Sequence, residues 1–220
     1  MQIISQTKTL AKTVLPEDLV ARIQSLLHIL SISRLRGFDL HLNSPDRYVL
    51  EDLIIPELVA CKELDKILFV GCDWYTKPYV KYFRDKEYWT IEIDQNKKKF
   101  GSKRHIVDGL QNLGNYIEND YFDLIVCNGV FGWGINNKED TEVAIKQCYS
   151  CLRPEGMLVL GWNDVSTYRP YFAIGKCENL SKFQPYVFPP LSTAKYLTEN
   201  SPTQHTFNFY LKPSVQSGKE

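Results

Sequence analysis

The sequence lacks net charge: its 26 lysines and arginines are matched by 26 aspartates and glutamates. That removes the long-range field expected of a protein working on nucleic acid or an acidic membrane, and favours a small or neutral substrate. Nowhere do eighteen apolar residues run together, and the amino terminus has no charged stretch followed by an apolar one. Neither a membrane span nor a secretory leader is therefore expected, and a cytoplasmic protein is. A metal-binding cysteine pattern is also missing. Cys61, Cys72, Cys127, Cys148, Cys151 and Cys177 fall mostly within apolar runs, where reduced thiols behave as small buried hydrophobes. Cys148 and Cys151 form a lone C-x-x-C, with no second pair or suitably spaced histidines to complete a zinc site, so no metal is expected.

What is present is enough chain for one sizeable core with an appended segment. Residues 1–62 read as helical, either capping a sheet or covering its edge. Pro16, Glu17 and Asp18 suit a first turn, and Leu19, Ile23, Leu26, Leu27 and Leu30 recur on one face. Ser44, Pro45 and Asp46 open a second helix that Pro56 should interrupt or kink. Residues 63–213 read as an α/β domain and 214–220 as a frayed tail. Lys97, Lys98, Lys99, Lys103 and Arg104 form a basic run, read as a solvated face.

From Lys66 short apolar runs alternate with helical stretches, the pattern of βαβ units and a mostly parallel sheet covered on both faces. Strands are expected at 67–71, 88–93, 104–107, 122–127 and 157–162, with helices near 77–85, 95–100, 110–118 and 139–152. Residues 205–211 alternate as a late strand, antiparallel to a partner near 194–198.

Three strand ends attract attention. The first runs through Gly71 and Cys72 into Asp73-Trp74-Tyr75-Thr76, with Thr76 as a helix cap and Pro78 in the first turn. A strand leading through glycine into a helix start is where an open α/β sheet binds nucleotides. The second ends in Glu92-Ile93-Asp94, about twenty residues on, where a carboxylate can accept from a ribose diol; Glu92 is preferred to Asp94. The third ends in Asp108-Gly109-Leu110, an aspartate and an apolar side chain suited to an adenine.

The segments FVGCD, TIEID, IVDGL and YFDLIVCNGVFGWG, followed by CLRPEGMLVLGW, together resemble the class I S-adenosylmethionine-dependent methyltransferases that act on small molecules. The resemblance spans residues 66–163. It implies a Rossmann-like doubly wound sheet of order 3-2-1-4-5-7-6 with an antiparallel last strand, S-adenosylmethionine as cofactor and S-adenosylhomocysteine as product. Carried over, it puts Gly71 at the methionine moiety, Glu92 on the ribose, Asp108 at the adenine, and Asn128 to Val130 beside the cofactor. One departure stands out: where the family's first loop runs glycine-x-glycine-x-glycine after an acid, Phe69 replaces the acid, and Asp73 and Tyr75 replace the later glycines. Trp74 and Tyr75 would then wall the pocket, with Asp73 pairing with the methionine ammonium.

Methyl transfer from a sulfonium needs alignment and water exclusion more than acid–base chemistry. Should a proton have to leave the acceptor, Asp164, Tyr168 and His205 are the candidate bases. Phe131, Trp133, Trp162 and Asn163 follow the fourth and fifth strands and are expected to face the substrate, unless the aromatics are ordinary core. The expected activity is methyl transfer to O or N of a small or medium metabolite, by a monomer or homodimer. The competing readings are an inactive methyltransferase-like scaffold, suggested by the altered loop, an RNA methyltransferase using the basic run, and a nicotinamide-dependent oxidoreductase, disfavoured by the missing glycines.

Overall fold

The computed structural model describes residues 16–165 and 174–214. The chain divides into a unit ending at Asn43 and one beginning at Ser44. In the first, α1 (Glu17–Ile32) forms where the leucine periodicity predicts it. The all-helical expectation for this stretch is then corrected by an antiparallel hairpin of β1 (Ser33–Arg36) and β2 (Asp39–Leu42). Gly37, at φ +62°, supplies the left-handed turn, and strands of four residues are too short for alternation to stand out.

The second unit starts with α2 over 45–60, whose middle turn, Leu50–Ile54, is π-helical. The Ile55 N–H reaches back five residues to the Leu50 carbonyl. Pro56 has no N–H to give and crowds the preceding turn, and the widened turn that accommodates it is the form taken by the expected interruption or kink. Because α2 groups with the α/β body, the body begins at Ser44 rather than at residue 63.

There follow β3 (Lys66–Val70), α3 (Tyr79–Tyr82), β4 (Glu87–Ile91), β5 (Arg104–Ile106), β6 (Phe122–Asn128), α4 (Lys138–Cys151), β7 (Leu152–Asn163), β8 (Gln184–Pro185), β9 (Lys195–Leu197) and β10 (His205–Leu211). The sheet runs β5-β4-β3-β6-β7-β10-β8, with β9 also paired to β10. Strands β3 to β7 are mutually parallel, and β10 returns antiparallel against β7. This is the expected 3-2-1-4-5-7-6 order with β8 as sixth strand, and β9 and β10 form the expected hairpin. The connections are shorter than anticipated. Gln95–Phe100 and Leu110–Asn115 are 3-10 turns and α3 is one turn long, since six residues scarcely repay the cost of nucleating an α-helix. Among the described residues no helix is long and apolar enough to cross a membrane.

The strands are apolar on both faces because both are covered. Leu68, Val70, Ile125, Cys127, Leu158 and Leu160 pack with Ala144, Ile145, Cys148 and Cys151 of α4. On the opposite face Ile67, Phe69, Val126, Val159, Phe207 and Phe209 pack with Leu50, Ile54 and Leu58 of α2 and with Tyr79. At the entry edge Asp123 accepts from the N–H groups of Asp65 (2.8 Å) and Lys66 (2.7 Å) and from the Arg153 guanidinium. Burial alone would raise its pKa, but these donors prevail and lower it. One carboxylate thus ties the starts of β3, β6 and β7 together, and leaves their carboxyl ends free to form a site.

Candidate active site

At the carboxyl end of β3, Gly71 takes φ +86°, a conformation that favours glycine, and its N–H donates to the Ile91 carbonyl at 2.9 Å. The chain beyond is held by a reciprocal cap. The Asp73 carboxylate accepts from the Trp74 N–H (2.7 Å), and the Thr76 hydroxyl accepts from the Asp73 N–H (2.9 Å). Asp73 rather than Thr76 is therefore the cap residue, and it opens the 3-10 turn Trp74–Thr76 in the space that glycines would have left open. The other Asp73 oxygen lies 3.0 Å from the Lys97 ammonium, so the expected partner of a methionine ammonium is already paired. Burial would lower the pKa of Lys97, but Asp73, with help from the Glu92 charge, raises it.

Glu92, just past β4, uses both oxygens: Oε2 accepts from the Cys72 N–H and Oε1 from the Asp94 N–H, each at 2.9 Å. This carboxylate joins the first and second strand ends and is fixed by backbone, while each oxygen keeps a lone pair for a further donor. Asp94 instead caps the next turn, accepting from the Asn96 N–H at 2.9 Å. Past β5, Asp108 accepts from Asn112 (2.8 Å), Tyr116 (2.9 Å) and the Gly109 N–H (2.7 Å), and these bonds hold its pKa below the ordinary aspartate value.

These strand ends surround a cleft of about 390 Å³, a volume suited to a small-molecule ligand. Of the residues expected at the cofactor, Gly71, Glu92, Ile93, Asp108, Gly109, Leu110 and Val130 line it. Cys72, Asp73, Tyr75 and Asn128 do not. Cys72 is buried, its thiol pushed up to about 12 first by burial and then by Glu92. Tyr75 lies under the Arg47 guanidinium, 4.6 Å from its carbon to the ring centre. Of the expected substrate-facing residues only Trp133, more than half exposed on a loop between Gly132 and Gly134, reaches the cleft. Phe131 and Trp162 are buried as ordinary core, and the Trp162 indole donates to Asn208 at 3.0 Å. Lys97, read from sequence as part of a solvated run, also lines the cleft. Its position three residues after Asp94 was the available signal.

A second polar region lies at the ends of β6 and β7 and the start of β10. His205 Nδ1 is 2.6 Å from Asn163 Oδ1, and Nε2 is 2.9 Å from Asn128 Oδ1. Burial pushes the ring down to about 4, so it is neutral at pH 7. A neutral imidazole donates from one nitrogen only. The ring is satisfied when Nδ1–H gives to Asn163 and Asn128 turns its otherwise partnerless amide nitrogen toward Nε2. Gly161 makes room for this cluster, since a Cβ there would stand 1.8 Å from Asn128 Oδ1. In the same body, the Arg47 guanidinium donates to the Tyr79 hydroxyl (3.3 Å), which donates to Glu51 (2.8 Å), all three buried. Sequence reasoning missed this chain, although Arg47 and Glu51 lie among the buried positions Leu50, Ile54 and Leu58 of α2. His205 is thus occupied and weakly basic. Asp164 is half-buried just past β7, and Tyr168 lies outside the described residues.

The methyltransferase-domain family matches residues 68–160. No curated protein matches the chain. The N-methyltransferase NodS of Bradyrhizobium japonicum WM9 shares the fold at 13% identity and TM-score 0.56, over 77% of this chain and 97% of that one. Its complex with S-adenosyl-L-homocysteine matches at 14% and TM-score 0.53, over 77% and 93%. A TehB-like S-adenosylmethionine-dependent methyltransferase from Corynebacterium glutamicum matches at 14% and TM-score 0.54, over 89% and 97%.

Proposed function

We propose that this chain is a class I S-adenosylmethionine-dependent methyltransferase, as the methyltransferase-domain match over residues 68–160 and the shared fold support, and that it methylates O or N of a small or medium metabolite. The observation that carries the reading is Glu92, half-buried on the cleft wall and held at both oxygens by backbone N–H groups of the first and second strand ends. In this reading Glu92 accepts from the ribose hydroxyls, and Asp108 with Gly109 and Leu110 takes the adenine. Gly71 lets the backbone approach the methionine portion, while Val130 and Trp133 face toward the acceptor. The cofactor supplies an electrophilic methyl group on a good leaving group. The chain's own residues bind and orient it, and Trp133 on its glycine-flanked loop excludes water. His205, held neutral with both nitrogens engaged and outside the lining of the cleft, is disfavoured, leaving Asp164 and Tyr168 as candidate bases for an acceptor that must lose a proton. The balanced charge of the chain favours a metabolite over RNA.

The test is calorimetric titration with S-adenosylhomocysteine. Glu92→Ala is expected to weaken binding by roughly a hundredfold or more, the scale of two lost hydrogen bonds to a charged group. Unchanged affinity in that variant removes the assignment.

A further inference from the structure

The cleft is lined by three acids, Glu92, Asp94 and Asp108, and by one cation among the described residues, Lys97. The nucleoside half of the proposed cofactor suits carboxylates, because it offers hydroxyls and an amine. The other half is an amino acid, whose own carboxylate would be repelled by three like charges unless a positive group meets it.

The loop after β3 has little backbone to offer that carboxylate. The Gly71 N–H is spent on Ile91, the Cys72 N–H on Glu92, the Asp73 N–H on Thr76, the Trp74 N–H on the Asp73 carboxylate and the Thr76 N–H on the Asp73 carbonyl. The same capping that lets the loop close without its glycines consumes the amides that would cradle an anion. Lys97 stands beside it. Its ammonium is 3.0 Å from Asp73 Oδ2 and its side chain is partly exposed at the cleft. An ammonium has three donors, and Asp73 occupies one. Asp73 is itself fixed through Trp74 and Thr76, so it anchors the lysine at the rim of this loop.

Resting on the cofactor reading above, we propose that Lys97 binds the α-carboxylate of the cofactor's methionine portion, with Asp73 as the positioning residue that holds the ammonium in place. The lysine thereby supplies the anion contact that the closed loop has withdrawn.

The experiment compares two ligands that share a nucleoside: S-adenosylhomocysteine, which has the amino-acid tail, and 5′-methylthioadenosine, which lacks it. Lys97→Met is expected to weaken the first by about tenfold or more, the scale of one charge-assisted hydrogen bond, and to leave the second within about twofold. Lys97→Arg should recover most of the loss. Equal losses for both ligands, or an unaltered affinity for S-adenosylhomocysteine, overturn the proposal. If the unsubstituted protein binds 5′-methylthioadenosine and the homocysteine compound is indifferent to Lys97, the cofactor site stands and only the role of Lys97 falls. If it binds neither, both readings fall.

Discussion

The same edge of the sheet carries two polar regions that differ in what their polar atoms still have to offer. Past β4 and β5, Glu92 and Asp108 are steadied by backbone and neighbouring donors and border an open cleft. At the ends of β6, β7 and β10, Asn128, Asn163 and His205 are buried and spend their bonding on one another. The first arrangement leaves lone pairs on the wall of an open cleft, and the second is a closed cluster satisfied within itself. A polar side chain at a strand end is thus ready to bind only if its own fold holds it without exhausting it.

That contrast can be broken by experiment, most severely at Gly161. Gly161→Ala would drive a methyl group into Asn128 Oδ1 and within 2.9 Å of His205 Nε2, and is expected to cost more than about 3 kcal/mol in chemical denaturation. A mild effect would mean that the buried cluster is soft. Next comes acid sensitivity. The folded pKa of His205, about 4, lies below the ordinary value of 6.5. The unfolded chain therefore takes up the proton first as pH falls. The associated stability is complete above pH 6.5 and lost as pH drops toward 4, about 3 kcal/mol in all. His205→Asn should flatten that slope in urea midpoints measured across the window, and an unchanged slope would refute the burial argument. The smallest effect belongs to the cleft: Asp108→Asn is expected to reduce S-adenosylhomocysteine affinity about fivefold while moving the denaturation midpoint little. A stability loss without an affinity loss would place Asp108 with the closed cluster instead.

Strands β3 and β6 and the second half of β7 were legible because each carries a continuous apolar run, as burial on two faces requires, and the late antiparallel strand showed itself by alternation. The strand-end positions of Glu92 and Asp108 could likewise be read, because an acid directly after an apolar run has few places to go. Contacts spanning long stretches of chain were not legible. Asp73 meets Lys97 across 24 positions, and Tyr79 meets Glu51 across 28, so neither pairing leaves a local pattern. Phe131 and Trp162 were misplaced because an aromatic side chain beside a strand end satisfies core and pocket patterns equally. The hairpin at 33–42 escaped notice since its four-residue strands span only two periods of alternation.

Trp133 gives the molecule a built-in optical reporter. Of its four indoles, those of Trp74, Trp89 and Trp162 are partly or fully shielded, while that of Trp133 is exposed on the cleft wall. A ligand settling there would strip solvent from one chromophore and leave the others in place, so occupancy can be followed by intrinsic emission without attaching a dye.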